Sequence, residues 1–387
     1  MHRSSQIAAL VKQAASHAGF DLAGIAPVRD FPELGHFPQW IADGRAGEMK
    51  YMEARDEAGR LKRASLRSAV PWARSVIVCA INYNTAQPYS TAVSESGRGW
   101  ISRYAWGDAD YHDAVMSKLR VVEQQLIAAT RAPAELSEAN YDGQALQTRC
   151  YVDTGPIVER VYAKYAGVGW IGKNTCVINQ KAGSWLFLGV ILSSMELPSD
   201  LPAPDRCGSC TRCIDACPTD ALIAPYELDS NRCISYLTIE KRGAIPEDLR
   251  EGMGRHLFGC DICQDVCPWN RKAPVTAAPE FQPREGLVNP ALDWLAEMDA
   301  EDFQKKFRGS PIRRAKRTGL RRNAVIAMGN SGDRRFLPLL QKLKTDDDAV
   351  VASTADWAAE KLRESQSTMR ETGLASARPT QYTSNSD

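Results

Sequence analysis

The segment CGSCTRCIDACPTDA, residues 207–221, carries four cysteines in the spacing C-x2-C-x2-C-x3-C-P, and GCDICQDVCPWNR, residues 259–271, repeats only the last three. In runs of this spacing the first three thiolates bind one [4Fe-4S] cluster, and the fourth binds the neighbouring cluster. The two segments therefore predict a compact fold built around two clusters. The second cluster lacks one ligand if only the two runs supply cysteines.

The missing ligand is expected from the segment between the runs, where Cys233 is the only cysteine. A long loop can bring this residue to the position of the absent ligand at a small entropic cost. Each cluster then has its own set of thiolates: Cys207, Cys210, Cys213 and Cys267 for the first, and Cys217, Cys233, Cys260 and Cys263 for the second. Zinc is the alternative, but zinc usually lies between two separated C-x2-C pairs and needs neither the third cysteine nor the proline after the fourth.

The composition is typical of a globular protein: the chain has 387 residues, of which 44% are hydrophobic and 25% charged, and its net charge is +1. This length predicts two or three folded units. The N-terminal segment shows neither a signal-peptide block nor a twin-arginine pair, and no segment approaches the roughly 18 apolar residues of a membrane span. We therefore expect a cytoplasmic protein whose cysteines are ligands rather than disulfides. The three cysteines outside the cluster segments, Cys79, Cys150 and Cys176, are predicted to be buried core thiols.

Before the cysteine runs, apolar β-rich segments alternate with helical patterns, which predicts an α/β domain over residues 1–200. A ferredoxin-like domain is expected to follow over residues 201–280. A polar segment at 131–144 is predicted to be a loop insertion. The patterns place strands at 21–28, 75–83, 149–157 and 184–194, and helices at 111–130 and after Pro156.

The sequence after residue 281 shows only helical patterns. Residues 320–362 indicate three helices joined by two turns, with small residues in the helices, which is typical of HEAT-like repeats. We predict a HEAT-like helical domain over residues 281–364, packed as an appendage. A polar tail over residues 365–387 is predicted to be disordered.

A strongly basic segment lies within this helical region. Residues 305–322 hold nine Lys or Arg and no acidic residue. Such a run is usually a solvated face, but here the absence of acids and the spacing of Arg313, Arg317 and Arg321 favour one charged side of a helix. A nucleic-acid backbone is the natural partner of such a side.

Two segments resemble cofactor motifs without matching them. GVGWIGKN, residues 167–174, has the spacing of a P-loop, but Asn174 stands where a Ser or Thr would bind magnesium, so nucleotide binding is rejected. The residues DYH at 110–112 resemble a cobalamin signature, D-x-H-x-x-G, in which Val115 replaces the glycine. A lone histidine at the start of a helix is more often a cap or a surface residue, so His112 is assigned no ligand role.

Asp153 follows an apolar segment and precedes Thr154-Gly155-Pro156, where a strand is expected to end and a helix to begin. The local sequence favours a helix-capping aspartate, with Pro156 in the first helical turn. The alternative is a carboxyl group at the edge of a ligand cleft, with a pKa that burial raises so that it can donate a proton.

Taken together, several segments resemble the epoxyqueuosine reductases, cobalamin-dependent enzymes of the last step of queuosine formation in tRNA. The similar segments are ISRYAWGDADYH (101–112), VDTGPIVER (152–160), AGVGWIGKNT (166–175), GSWLFLG (183–189), the two cysteine runs, RCISYLTIEKRGAIP (232–246) and RRNAVIAMGNSGD (321–333). They span nearly the whole chain before the tail.

The resemblance implies a base-off cobalamin between the N-terminal and ferredoxin-like domains, two [4Fe-4S] clusters that deliver electrons to it, and a C-terminal domain that binds tRNA. It implies reduction of epoxyqueuosine at the wobble position with Asp153 as the proton donor, which reverses the local preference for a cap. Cobalamin contacts carry over onto Arg60, Ser102, Asp153, Val177, Leu188, Ser235 and Asp261, and tRNA contacts onto Lys241 and Arg242. The implied partners are tRNA carrying epoxyqueuosine and a reductant of the flavodoxin or ferredoxin type. We expect a monomer with no membrane contact.

The sequence departs from the family pattern in two places. Some members have cysteine where Ser102 stands, so a thiol there is not essential to the chemistry, and the 131–144 segment is longer than expected. Two other functions stay open at this point. A reductive dehalogenase shares both cofactor modules but usually carries a twin-arginine signal and has no need of the basic segment. A non-catalytic iron–sulfur electron carrier or RNA-binding module would bind no corrinoid.

Overall fold

The computed structural model describes residues 3–131 and 145–372, with side chains up to residue 364. The predicted insertion at 131–144 therefore lies almost entirely outside the described residues. The helices are α1 Arg3–His17, α2 Phe37–Ala42, α3 Leu66–Ala69, α4 Tyr111–Arg131, α5 Glu159–Tyr165, α6 Arg212–Asp215, α7 Ile234–Ile239, α8 Glu247–Arg250, α9 Ile262–Asp265, α10 Leu292–Glu297, α11 Ala300–Lys306, α12 Lys316–Asn330, α13 Leu337–Leu343 and α14 Ala349–Thr372. The strands are β1 Leu22–Pro27, β2 Ser75–Asn82, β3 Trp100–Ile101, β4 Thr148–Tyr151, β5 Trp170–Ile171, β6 Val177–Ile178, β7 Leu186–Ser193, β8 Leu222–Ala224, β9 Glu227–Leu228 and β10 His256–Phe258.

A four-stranded sheet in the order β1-β2-β7-β4 forms the centre of the N-terminal half, and each neighbouring pair is antiparallel. All eight residues of β2 are buried. Ile77 and Cys79 pack with α1 and α4 on one face of the sheet, whereas Val78 and Ala80 pack with α5 on the other. The uninterrupted apolar sequence that predicted this strand thus reflects burial on two faces. The mixture of helix and strand agrees with the prediction, although the main sheet is antiparallel.

The segments that precede the cysteine runs form the predicted elements with one exception. The predicted strand at 149–157 ends at Tyr151 as β4. The chain leaves the sheet there, and α5 begins only at Glu159. The intervening loop, residues 152–158, therefore lies at an end of the sheet, which places Asp153 at an edge.

The two cysteine runs adopt the same local fold. Each run contains a one-turn helix, α6 in the first and α9 in the second, and these two helices pack against each other. Cys233 lies at the N-terminus of α7, one position before its first residue. The cysteines of the two runs are thereby held on neighbouring short elements.

Helices α12, α13 and α14 follow in the predicted order, and the described residues contain no strand after Phe258. Trp106 of the N-terminal domain and Phe258 of β10 are fully buried against this helical region. The helices thus pack on the rest of the protein through a shared core, and their assignment as a separate HEAT-like domain stays a prediction. Helix α14 continues to Thr372, so the predicted tail does not begin at residue 365, and residues 373–387 lie outside the described part. None of the described helices is both long and apolar enough to cross a membrane.

The structure contradicts the predicted row of surface arginines. Arg321 is only 5% exposed. Its two terminal nitrogens lie 3.0 and 2.5 Å from the carboxylate oxygens of Asp346, and its Nε donates to the Ala296 carbonyl at 2.7 Å. Arg317 is half-buried and donates to the Met298 carbonyl at 3.1 Å. The helical spacing does put Arg317 and Arg321 on one side of α12, but that side faces α10. Of the three arginines, only Arg313 is exposed.

Replacing Arg321 by alanine should therefore destabilise the fold by about 3 kcal/mol, because the substitution leaves the Asp346 carboxylate without its buried partner. The guanidinium group lowers the pKa of Asp346. The stabilisation is therefore present above the unfolded-state pKa of an aspartate and is lost as the pH falls through the lowered value. Denaturant unfolding of Arg321→Ala and Arg313→Ala at neutral pH measures the difference. The exposed Arg313 should change stability by at most about 0.5 kcal/mol, and equal losses in the two variants would contradict the assignment.

Candidate active site

Four of the predicted cluster ligands surround one cavity of about 230 Å³, lined by Lys173, Trp269, Cys207, Cys210, Cys213 and Cys267 among others. Burial raises the pKa of Cys267 to about 11, and the nearby thiols of Cys207 and Cys213 add to the shift. Among the described residues, no three His, Cys, Asp or Glu side chains converge on a point that one metal ion could occupy. Four thiols around a cavity fit a cluster, in which each thiolate binds a different iron.

The other four predicted ligands also lie close to one another. Burial raises the pKa of Cys233, and the nearby thiol of Cys217 adds to the shift. Burial raises the pKa of Cys260, to which the thiol of Cys233 also contributes. Cys263 is within electrostatic reach of both Cys260 and Cys233. The structure thus brings Cys233 from between the runs to the group that lacked a fourth thiol, and its role as a ligand stays a prediction.

The GVGWIGKN segment contacts both cysteine runs. Lys173 Nζ donates to the carbonyl oxygens of Gly208 at 2.6 Å and Cys210 at 3.0 Å. Asn174 Nδ2 donates to the carbonyl of Cys263 at 3.2 Å. The glycines permit close packing, since a Cβ atom on Gly169 would lie 2.4 Å from the Ile178 carbonyl oxygen. The segment therefore fixes the backbone around the cysteines, which explains a lysine and an asparagine at positions that resemble a P-loop.

Cys176 does not occupy the core position that the sequence predicted. Cys79 and Cys150 are 0% and 4% exposed within the sheet, as predicted. Cys176 instead lies in the loop before β6, where its thiol shares a hydrogen bond with that of Cys263. Arg160 donates to the neighbouring Thr175 carbonyl at 2.9 Å. The prediction is wrong for Cys176, because the short strand β6 begins only after it.

Asp153 is not a helix cap. Helix α5 is preceded by Val158 as its N-cap, so neither Asp153 nor Pro156 belongs to its first turn. Asp153 has a φ of +57°, a left-handed conformation that costs a residue other than glycine roughly 1–3 kcal/mol. Its side chain is 54% exposed. The strained loop thus exposes the carboxyl group to solvent instead of using it to complete a helix.

The N-terminal turn of α4 supplies the partners of Asp153. Tyr111 Oη donates to Asp153 Oδ2, and the Tyr111 ring stacks on Phe187 with centroids 4.3 Å apart. His112 Nε2 lies 3.9 Å from the same Oδ2. His112 Nδ1 lies 2.7 Å from Asp110 Oδ1. Burial alone would lower the pKa of His112, but the hydrogen bond and charge of Asp110, together with the charge of Asp153, raise it overall.

A second carboxyl group lies close to Asp153 in the following helix. Glu159 Oε1 is buried and has no hydrogen-bond partner among the described residues. Burial raises the pKa of Glu159 to about 7, and the charge of Asp153 adds to the shift. Arg160 is within electrostatic reach of both Asp153 and Cys176. Arg160 is therefore near both the loop that carries Asp153 and Cys176, a cysteine outside the two predicted ligand sets.

The predicted cobalamin contacts other than Asp153 fall into four places. Ser102 Oγ donates to Asp261 Oδ1, the Arg103 backbone N–H donates to Asp261 Oδ2 at 2.6 Å, and both Ser102 and Asp261 are buried. Val177 and Leu188 belong to the core on the α5 side of the sheet, and Ser235 lies in α7. Arg60 is in an exposed turn, with its Nε 2.9 Å from Asp56 Oδ2. The structure joins Ser102 and Asp261 directly beside Cys260 and places Arg60 on the surface.

A basic rim includes one arginine, Arg314, that lies near the Asp153 site. We use this name for Arg242, Arg313, Arg314 and Lys316, which are all exposed. Arg314 is near enough for its charge to oppose the rise in the pKa of His112, and Arg242 Nη2 donates to the Arg314 carbonyl at 3.1 Å. Lys241 instead pairs with Glu48 at 2.5 Å. Tyr51 is 45% exposed. The guanidinium carbons of Arg314 and Arg63 lie over its ring, 5.3 and 5.8 Å from the ring centroid.

Comparison with known proteins agrees with this arrangement. Residues 63–154 match the family model for epoxyqueuosine reductase QueG, DUF1730, and residues 206–270 match that for a 4Fe-4S double cluster binding domain. The chain is 39% identical over 355 residues to an epoxyqueuosine reductase of Xanthomonas campestris, an alignment that covers 91% of this chain and 95% of that protein. This chain belongs to the epoxyqueuosine reductase family. An epoxyqueuosine reductase of Pseudomonas aeruginosa is 40% identical, with 92% of this chain and 94% of that protein covered.

Solved epoxyqueuosine reductases share the fold. One crystal structure, with an epoxyqueuosine-modified tRNA-Tyr stem loop, has a TM-score of 0.80 and 29% identity and covers 96% of this chain and 95% of that one. A solved structure from Bacillus subtilis has a TM-score of 0.79 and 30% identity and covers 92% of this chain and 90% of that one. Its catalytic loop, identified by an aspartate, is swung out of the active site. This epoxyqueuosine reductase homologue is therefore a reductase with a double-cluster segment, and neither alternative function from the sequence is retained.

Proposed function

We propose that this protein reduces epoxyqueuosine to queuosine at the wobble position of tRNA, with Asp153 as the proton donor and with electrons that reach cobalamin through two [4Fe-4S] clusters. The position of Asp153 carries the proposal. Its accessible carboxyl group lies on a strained loop and contacts Tyr111 and His112, and Arg160 is near both Asp153 and Cys176. In the Bacillus subtilis relative, the catalytic loop is likewise identified by an aspartate.

The chemistry needs an acid at this position. Reduction of an epoxide to an alkene breaks two C–O bonds, consumes two electrons and two protons, and releases the oxygen as water. A carboxylic acid within hydrogen-bond reach of the epoxide oxygen lowers the barrier to C–O cleavage by transferring its proton as the bond breaks. Tyr111 Oη donates to Oδ2 of Asp153 and so holds the carboxyl group in place on its loop. Burial and the Asp153 charge raise the pKa of Tyr111, so the phenol stays a neutral donor.

The residues around the site fit a corrinoid. The buried and unpartnered Glu159 Oε1 is an acceptor that suits the amide groups around a corrin ring. The family resemblance assigns the cobalamin contacts to Ser102, Val177, Leu188, Ser235 and Asp261, with Arg60 and Asp153 at the edge. Bound there, cobalamin would supply the two electrons of the reduction. The two cysteine groups would hold the clusters that relay electrons from a reductant of the flavodoxin or ferredoxin type.

The basic rim and Tyr51 support tRNA as the substrate. Exposed cations beside the Asp153 site favour a phosphate backbone. The guanidinium groups of Arg63 and Arg314, which lie over the ring of the exposed Tyr51, offer planar surfaces on which an unstacked base can stack. A wobble base lies in a loop whose bases can be splayed out. A charged rim with an aromatic face, next to an acid, is therefore arranged for a base presented by RNA.

Replacing Arg313 and Lys316 together by alanine should weaken tRNA binding and reduce its dependence on salt. Each lost phosphate contact removes close to one unit from the slope of log K against log salt concentration, so the double variant should lose about two units. Fluorescence anisotropy across a salt series measures the slope. Lys342, on α13 and paired with Glu297 at 2.8 Å, provides the control, since Lys342→Ala should leave the slope unchanged. A wild-type slope in the double variant would show that this surface is only a solvated face and does not contact tRNA.

The proposed function is tested by conversion of epoxyqueuosine-containing tRNA in a single turnover. The protein is assembled without oxygen, reconstituted with cobalamin and chemically reduced, and the corrinoid spectrum is recorded on the same sample. We expect formation of queuosine by protein that holds one corrinoid and about eight irons per chain. Protein with this cofactor content that leaves the substrate unchanged would refute the proposal.

A further inference from the structure

The proposed reaction consumes two protons at the leaving oxygen, whereas the carboxyl group of Asp153 carries only one. The first proton is used when the first C–O bond opens, and the second when the hydroxyl group leaves as water. If Asp153 serves both steps, it must be reprotonated while the substrate is still bound. The neighbouring groups therefore decide whether the site can complete a turnover.

Asp110, directly before α4, and His112, in the first turn of α4, are arranged for this task. Asp110 Oδ1 accepts from the His112 backbone N–H at 3.0 Å and lies 2.7 Å from His112 Nδ1. This double contact fixes the ring so that Nδ1–H points to Asp110 and Nε2 points to Asp153. The ring also stacks on Tyr111, with centroids 4.1 Å apart. Nε2 lies 3.9 Å from Asp153 Oδ2, a gap that one water or a small side-chain rotation closes.

We propose that His112, held by Asp110, is a proton-relay residue that returns a proton to Asp153 within each turnover. This inference rests on the proposed function. The imidazole touches neither the reacting carbon atoms nor the oxygen, so it acts only through Asp153. The His112 side chain is 33% exposed and can regain its own proton from solvent.

The relay balances atoms and electrons. Protonated Asp153 gives its proton to the epoxide oxygen as the first C–O bond breaks. Imidazolium His112 then transfers the proton on Nε2 to the Asp153 carboxylate, and Asp153 delivers it to the hydroxyl group as the second C–O bond breaks. The alkene and one water form, and the two electrons come from the reduced cofactor system of the proposed function. Neutral His112 is left with Nδ1–H donated to Asp110.

The charges that face His112 come from three parts of the chain. Asp110 precedes α4, Asp153 lies in the loop after β4, and Arg314 lies in the turn before α12. The two carboxylates favour the imidazolium form and Arg314 opposes it. Asp153 is in turn within electrostatic reach of Tyr104, Glu159 and Arg160. The variants below therefore change one of these charges at a time.

The test compares His112→Gln with wild type in single-turnover conversion at several pH values. Glutamine keeps a hydrogen-bonding side chain but cannot carry a proton, so the rate should fall by roughly 10²-fold. The wild-type rate should decline as the pH rises through the raised pKa of His112, and the variant should lack this decline. Added imidazole should restore part of the rate. Asp110→Asn should move the decline to lower pH, because the main partner that raises the pKa is lost.

Two controls separate a relay from a structural role. His36, an exposed histidine beyond the sheet, gives His36→Gln as the matched substitution, which should keep the wild-type rate and pH profile. Iron content and the corrinoid spectrum should be unchanged in every variant. A His112→Gln enzyme with the wild-type rate would overturn the relay. A slow variant that keeps the pH decline and gains nothing from imidazole would overturn it as well.

A measurement without substrate makes the outcome independent of the proposed function. The ring signals of His112 are followed by NMR during a pH titration of the cluster-containing protein, kept oxidised and without substrate, and are assigned with His112→Gln. Asp153→Asn and Asp110→Asn should each lower the pKa of His112, the second by more. If Asp153→Asn leaves the pKa of His112 unchanged, the relay is wrong. A wild-type enzyme that binds its cofactors but converts no substrate would overturn the proposed function alone.

Discussion

Asp153→Asn is expected to lower single-turnover conversion of epoxyqueuosine-containing tRNA by roughly 10²-fold or more. Asparagine has nearly the same shape as aspartate and tolerates the left-handed backbone that Asp153 adopts, at a φ of +57°. It still accepts the hydrogen bond from Tyr111. It cannot release a proton at any useful pH, so the loss should fall on chemistry and not on folding. An alanine variant is less informative, because it adds backbone strain to the loss of the acid.

The iron content and the corrinoid spectrum of Asp153→Asn should match those of wild type, since the assigned iron ligands are all cysteines. Asp347→Asn is the matched control, an exposed aspartate in the turn before α14 that should convert substrate at the wild-type rate. Conversion is measured with chemically reduced protein, so that electron supply is the same in all samples. Near-normal conversion by Asp153→Asn would remove Asp153 from the mechanism and transfer the proton to solvent or another residue.

Cys233→Ala should halve the iron content, from about eight to about four per chain, by removing one ligand of the second cluster. Its EPR spectrum after reduction should retain the signal of the cluster held by the first cysteine group. Conversion of substrate should fall to background, because electrons can no longer pass through the second group. Cys150→Ala removes a thiol that is 4% exposed in the sheet and should keep both clusters.

The position of Cys176 calls for two further variants, Cys176→Ala and its combination with Cys233→Ala. Its thiol shares a hydrogen bond with Cys263, so it lies next to the second group and is the nearest substitute for a lost ligand. Cys176→Ala alone should keep about eight irons. Full iron content in Cys233→Ala combined with its loss in the double variant would show that Cys176 replaces Cys233. Full iron content in the double variant would disprove the assignment of Cys233.

The two cysteine sets could be predicted because cluster chemistry constrains the sequence directly. Each cubane takes four thiolates, the spacing of a run decides which three bind together, and one cysteine remained for the vacant place. No detail of packing was needed for that argument. The strand β2 was equally predictable, since burial on both faces requires an apolar side chain at every position.

Other assignments failed where the local pattern fits more than one environment. The residues around Asp153 suit a strand-to-helix junction, but the helix starts only at Glu159, so the local interpretation as a cap was wrong and only the family resemblance pointed to catalysis. Helical spacing put Arg317 and Arg321 on one side of α12. It did not say that this side faces α10, where Arg321 pairs with Asp346.

The sequence by itself determined what depends on residue type and spacing: a double-cluster segment, a mixed helix and strand fold, and membership of a reductase family. Only the tertiary structure decided which distant side chains meet. It placed His112 and Tyr111 at Asp153, Cys176 at Cys263, and Arg314 beside the site from the far end of the chain. The physical reason is that a ligand spacing or a helical period is encoded within a few neighbouring residues. Contacts between separate elements depend instead on how those elements pack, and that packing is settled by the whole core.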